Sequence, residues 1–296
     1  MEKIYLSDSG PKVSPAVYGF YRWGKEENST MNMERIVHLC LELGINTFDH
    51  ADIYGEYQCE ELFGKLIAGK SIKREDIILF TKCGLRIPHP SQPGVHIPYV
   101  DTSKEHILKS IDNSLRKLNT DYIDIFLLNG FDPIANLEET ALLLRQLKEK
   151  GKIKNIGIVN FSVFQHQLLA SYLHLPIVTN HIELSLLNTS SLDNGQIDYS
   201  KQRYMRPLAS SPLAAGHIAS SDDIIATQLR NTLAEMGSKY NADIESVDIA
   251  WIIKIGALPL IGTTDENRIR NIVNGCSINL EKEDWYQLYN ATRKID

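Results

Sequence analysis

Cysteine is scarce, with only Cys40, Cys59, Cys83 and Cys276, far apart and without a CxxC pair. That composition points away from a thiolate metal site and toward reduced thiols in a cytoplasmic chain. No run of about 20 apolar residues occurs, so no membrane-spanning segment is expected. The opening MEKIYLSDSG lacks the apolar core of a secretory signal. The 9 histidines include no HExxH or comparable ligand spacing. Positive charge is short as well: 31 Lys and Arg against 37 Asp and Glu give a net charge of −6. A basic stripe for nucleic acid is therefore missing, and KEKGKIK at Lys148–Lys154 reads as a solvated turn. Neither GxGxxG after the first strand nor a P-loop is found, which argues against a Rossmann domain and P-loop phosphate binding.

What the chain does have is alternation. A hairpin is expected first, with IYL and KVS flanking a turn at Ser7–Pro11. Short apolar runs then recur: AVYGF, NTFDH, IILFT, YIDIFLLN, NIGIVN, IVTNHI, MRPLAS and LPLIG. Helical patterns lie between most of them, at 33–43, 56–67, 103–118, 137–150, 163–173 and 244–255. Thr102 or Ser103 is placed to N-cap the third helix and Ser162 the fifth, while Gly44 and Gly151 follow helix ends. Strands interleaved with helices over 296 residues predict one domain, 1–296, an α/β (β/α)8 TIM barrel behind a short N-terminal β-hairpin. Two long connections, 84–102 and 183–203, follow strands three and six, where a barrel builds its active site.

Residue types that carry proton chemistry collect at strand ends. Asp49 closes one apolar run, Tyr54 and Gly55 follow, Lys82 closes the next, and Asn129 ends the fourth. Strand alternation puts Asn129 on the face of Ile123, Ile125 and Leu127, at the barrel mouth. A free phenol titrates near 10, too high for efficient proton donation at neutral pH. An ammonium about 4 Å away favours phenolate by about 4 kcal/mol at an effective dielectric near 20, or about 3 pKa units. On that reading Lys82 activates Tyr54, and Asp49 holds Lys82 charged. Tyr21, Arg22 and Trp23 follow the first strand and Phe131 the fourth; Tyr21, Trp23 and Phe131 are candidate walls for a small-molecule carbonyl substrate.

The wording around these residues resembles the aldo-keto reductase family over nearly the whole chain. GINTFDHADIYGEYQCE resembles the signature of a bacterial branch, and TKCG the family's lysine motif. GKIKNIGIVNF, VTNHIELSLL, RPLASSPLAAG and LPLIGTTDENRIR are similar to its later segments. The resemblance implies NADPH bound in extended form at the C-terminal mouth and reduction of an aldehyde or ketone to an alcohol. It implies Tyr54 as proton donor, Asp49 and Lys82 as its activating pair, and Asn129 in place of the usual histidine. The cofactor would meet Gly19, Tyr21, Arg22, Asp49, Asn160 and His181 at one end. Ser211, Leu213 and Gly216 would line the pyrophosphate, and Gly262, Thr263, Thr264 and Arg268 the adenosine end. A guanidinium grips a 2′-phosphate bidentately, which favours NADPH over NADH.

Four departures fall at the reacting end: Asn129 for histidine, Val159 for serine, His181 for glutamine and Ser210 for a stacking aromatic. An amide donates a hydrogen bond but does not titrate. The potassium-channel β-subunit branch also carries asparagine here, so a cofactor-binding protein with weak turnover and a regulatory or scaffold role is the alternative. No partner surface is legible in an acidic barrel sequence that shows no basic or apolar stripe, and no metal is expected.

Overall fold

A computed structural model describes residues 1–23 and 29–293. Eight parallel strands close into a barrel: β1 Val17–Gly19, β2 Thr47–Asp49, β3 Ile78–Cys83, β4 Ile123–Asn129, β5 Ile153–Val159, β6 Ile177–Glu183, β7 Leu208–Ser210 and β8 Leu258–Ile261. Each matches a predicted apolar run. The hairpin is present, pairing Ile4–Tyr5 with Lys12–Val13. Its Leu6 and Val13 join Val17, Phe80, Ile125, Leu127, Val178, Leu208 and Leu258 in one buried cluster. The hairpin thus packs onto the N-terminal end of the barrel and leaves the opposite mouth free. Each such buried side chain stabilises the fold by roughly 1.5–3 kcal/mol.

Alternation along the strands decides what faces inward. In β3, Phe80 belongs to the interior cluster and Leu79 to an outer one, so Lys82 points inward two residues after Phe80. β6 breaks the rule. Its pairing with β5 matches Ile177 to Ile156 but Asn180 to Ile158, one extra residue in β6. Such a bulge re-aims the side chains that follow it. Val178 is interior and His181, three residues on, also faces the interior cavity.

Local signals set the helices. Ser103 caps Lys104–Lys117, its hydroxyl accepting from the His106 N–H, while Thr102 lies before the cap. Ser162 and Gln165 form a reciprocal capping box on Val163–Leu173. Gly44 and Gly151 take positive φ of 87° and 72° after their helices. The helices Ile224–Tyr240, Glu266–Gly275 and Lys282–Asn290 were not predicted, and the last two pack against the helix Ile244–Ile255. Tyr54–Tyr57 forms a separate short turn with left-handed φ at Gly55, Glu56 and Tyr57, so the second helix starts at Cys59.

Both long connections carry structure of their own. The first contains an antiparallel ribbon, Leu85–Arg86 with Tyr99–Val100. The second contains helices Ser190–Asp193 and Gln196–Gln202. Among the described residues no helix is long and apolar enough to cross a membrane. One surface feature escaped the sequence reading: Phe164, Leu168 and Tyr172 lie exposed four residues apart on the helix Val163–Leu173. That spacing stacks them as an apolar stripe on one face.

Candidate active site

The C-terminal mouth of the barrel holds a cavity of about 230 Å³. At its floor, Lys82 Nζ donates to both Asp49 oxygens, at 2.7 and 2.6 Å, and to the His50 carbonyl at 2.8 Å. Strand pairing places these groups. Gly19 stands opposite Asp49, and Asp49 opposite Phe80. A side chain at position 19 would put its Cβ 3.4 Å from Asp49 Oδ2 and 3.0 Å from Leu260 Cδ1, so glycine keeps the space above the ion pair open. Burial pushes the Asp49 carboxyl up and the Lys82 ammonium down from their usual ranges, and the charge of each opposes the other's shift. The three hydrogen bonds to Nζ are what make a fully buried ion pair tolerable.

Lys82 Nζ lies 4.8 Å from the centre of the Tyr54 ring. The expected lowering of the Tyr54 pKa is not found. Burial, then the Asp49 carboxylate, hold the phenol well above its ordinary range. The reason is geometric: the ammonium sits over the ring face and is neutralised by Asp49. Tyr54 is thereby held as a neutral phenol, packed edge-on against Tyr21 at 5.7 Å.

Asn129, Val159 and His181 form one row across β4, β5 and β6, with Val159 paired to both neighbours. All three line the cavity. Burial and the Lys82 charge keep the His181 imidazole neutral, well below its usual range, and its Nε2 is buried without a hydrogen-bond partner. The four positions that depart from the family pattern are brought together, since Ser210 lines the same cavity.

The cavity runs from this row to Arg268. Of the residues assigned to a cofactor from the sequence, Gly19, Tyr21, Arg22, His181, Ser211, Leu213, Gly216, Gly262, Thr263 and Arg268 line it. A Cβ on Gly262 would come within 2.9 Å of the Gly19 carbonyl, so the two backbones meet closely beside it. Ser211, Ala214, Ala215 and Gly216 all take positive φ, which coils the backbone tightly along the wall. Arg268 Nε donates to Glu245 Oε1 at 2.7 Å.

Other assignments are not brought into the lining. Asp49 is fully buried below it. Asn160 is exposed with φ 56°, its N–H spent on the His181 carbonyl at 2.7 Å. Thr264 is half-buried just outside. Trp23 is corrected: its indole is 2% exposed, turned inward to donate to the Tyr18 hydroxyl at 3.3 Å. A large ring with one N–H is better satisfied beneath the wall than on it. Phe131 is corrected too, packing edge-on to Phe161 at 5.4 Å within the outer layer. Neither long connection lines the cavity; the short segments after β1, β7 and β8 do. Pro212, Ala215, Leu260, Ile261 and Ile272 were missed. Ile272 was findable, because it lies four residues after Arg268 on the same helix.

Fold and site together define a parallel (β/α)8-barrel protein with a Tyr–Lys–Asp cluster at the C-terminal ends of its strands. The chain belongs to the aldo/keto reductase family, whose model matches residues 16–292. It is 34% identical over 302 residues to an uncharacterized oxidoreductase, YcsN, of Bacillus subtilis, covering 100% of this chain and 99% of that protein. It is 33% identical over 292 residues to a 6-dehydroglucose reductase of Agrobacterium fabrum, covering 98% and 97%. Oxidoreductase YdhF of Escherichia coli is 32% identical over 299 residues, covering 100% and 99%. A crystal structure of a thermostable aldo-keto reductase bound to the inhibitor epalrestat shares the fold, with a TM-score of 0.84 at 22% identity over 98% of this chain and 100% of that one. Membership and these relatives make the protein an oxidoreductase of the carbonyl-reducing class.

Proposed function

We propose that the protein is an NADPH-dependent reductase of aldehydes or ketones, with Tyr54 as the proton donor. The observation that carries this reading is the buried Lys82–Asp49 pair set beside Tyr54 at one end of a cavity that reaches Arg268 at the other. The residues present suit an extended dinucleotide. Gly19 keeps the space above the ion pair open, the coiled turn at Ser211–Gly216 borders the middle, and Arg268 offers a cation at the far end. Bound there, the reduced nicotinamide would supply the hydride.

The chain's own residues would do the rest. Tyr54, held neutral by burial, donates its proton to the carbonyl oxygen. The Lys82 ammonium, 4.8 Å from the ring centre and already paired with Asp49, offsets only part of the phenolate charge left behind, and Asp49 keeps that ammonium in place. Asn129 orients the carbonyl with its amide N–H and cannot take the proton itself. Tyr21, 70% exposed beside Tyr54, forms the outer wall toward the substrate.

Stopped-flow mixing of NADPH-loaded protein with reactive aldehydes and dicarbonyls tests this reading. Because two relatives are named 6-dehydroglucose reductases, that aldehyde belongs in the panel. Oxidation of NADPH that disappears in Tyr54→Phe, with binding kept, supports it. Tight binding with no oxidation across the panel favours the second reading, a cofactor-binding protein with weak turnover, for which the non-titrating Asn129 speaks.

A further inference from the structure

Arg268 does not reach into the cavity as a free cation. Its Nε edge is bound to Glu245 Oε1 at 2.7 Å, and Glu245 Oε2 accepts from Asn271 Nδ2 at 3.0 Å. Among the described residues no other hydrogen bond engages the guanidinium, so its Nη edge is the one left for a ligand. Glu245 opens the helix Ile244–Ile255 and Arg268 lies in the first turn of Glu266–Gly275, so two helix starts fix the pair. The side chains are 17% and 30% exposed, so solvent screens them only in part. Asp248, one turn beyond Glu245, is buried with neither oxygen hydrogen-bonded, and both carboxylates border a small pocket shared with Arg268 and Leu213.

We propose that Glu245 sets the discrimination between a 2′-phosphate and a 2′-hydroxyl on the cofactor's ribose. This rests on the dinucleotide reading above. A phosphate on the Nη edge gains two charge-assisted hydrogen bonds, but it stands across one guanidinium from a carboxylate of like sign. A hydroxyl on that edge accepts from the guanidinium and carries no such conflict. The acidic partner therefore holds the arginine in position while restraining its preference for NADPH, and it leaves NADH as a usable cofactor.

The test is titration of NADPH and NADH onto the full chain and its variants, followed by cofactor fluorescence, with melting temperatures recorded for each. Glu245→Gln keeps an acceptor for Arg268 Nε, and Asn271 can turn its amide to match. The NADPH-to-NADH affinity ratio should then rise by about tenfold, chiefly through tighter NADPH binding. Glu245→Asp keeps the charge and should leave the ratio within about twofold of the parent. An unchanged or lowered ratio in Glu245→Gln overturns the proposal. Equal shifts in both variants also overturn it, since they would trace to the clamp and not the charge. If the parent binds neither dinucleotide, the dinucleotide reading falls along with this one.

Discussion

Asn129 and His181 share one rung of the barrel, two strands apart, each paired in register with Val159. An imidazole therefore stands in the same cavity as Asn129, held neutral there by burial and Lys82. Restoring histidine in Asn129→His should raise turnover by less than about threefold in the parent and by about tenfold or more in a His181→Gln background. Steady-state rates for the four proteins from pH 5 to 9 would decide it, and equal gains in both backgrounds would sink the idea.

Lys82 neutralises a fully buried carboxylate, so its removal should cost stability as well as activity. Lys82→Met leaves Asp49 uncompensated and should lower stability by about 3–5 kcal/mol in chemical denaturation. Asp49→Asn combined with Lys82→Met should recover more than half of that loss and remain inactive. A double variant as unstable as the single one would show that the pair's packing, not its charge, holds the floor.

Asp52 lies behind the site, accepting from Ser110 Oγ at 2.9 Å on one oxygen and from nothing on the other. Burial, then the neighbouring Glu60, push its carboxyl up to about 7. A folded pKa above the unfolded value near 3.9 means that the folded chain binds this proton more tightly. The stabilisation is therefore fully present below about pH 4 and is lost as pH rises through about 7. Asp52→Asn removes the titration and should gain on the parent from pH 4 to 8, by up to about 4 kcal/mol. Parallel curves of melting temperature against pH would refute this.

Gly64 sits inside the helix Cys59–Ala68, where helix propensity alone would favour alanine by about 1 kcal/mol. The structure reverses the sign. A Cβ there would lie 1.9 Å from the Lys117 carbonyl oxygen and 2.9 Å from the Leu118 carbonyl carbon, both backbone atoms. Gly64→Ala should destabilise by about 3 kcal/mol, read as a lower denaturation midpoint. A midpoint at or above the parent's would mean that the two helices part at little cost.

Local periodicity made the barrel legible, because most strands carry their own alternation and helices such as Lys104–Lys117 and Val163–Leu173 their own caps. Asp49, Lys82 and Asn129 were readable for the same reason: they end apolar runs, and a parallel barrel gathers strand ends at one mouth. Three things were not local. Trp23 and Phe131 look like rim aromatics in sequence, but Trp23 packs on Phe20, which is set among the distant Phe48 and Phe63 rings, and Phe131 packs on the distant Phe161. The charge balance at Tyr54 depends on where Lys82 Nζ ends up, over the ring and between Asp49 and His50, which spacing cannot state.

His181 is the sharpest case. Counting by twos from the interior Val178 sends it outward, and only the extra residue in β6 turns it in beside Asn129. Sequence by itself determined the eight strands, their order, six of the helices and the residue types at the strand ends, since those rest on contacts a few residues apart. Which side chains share the cavity, and in what state of charge, was decided by barrel closure, because burial and register join residues that are far apart in the chain.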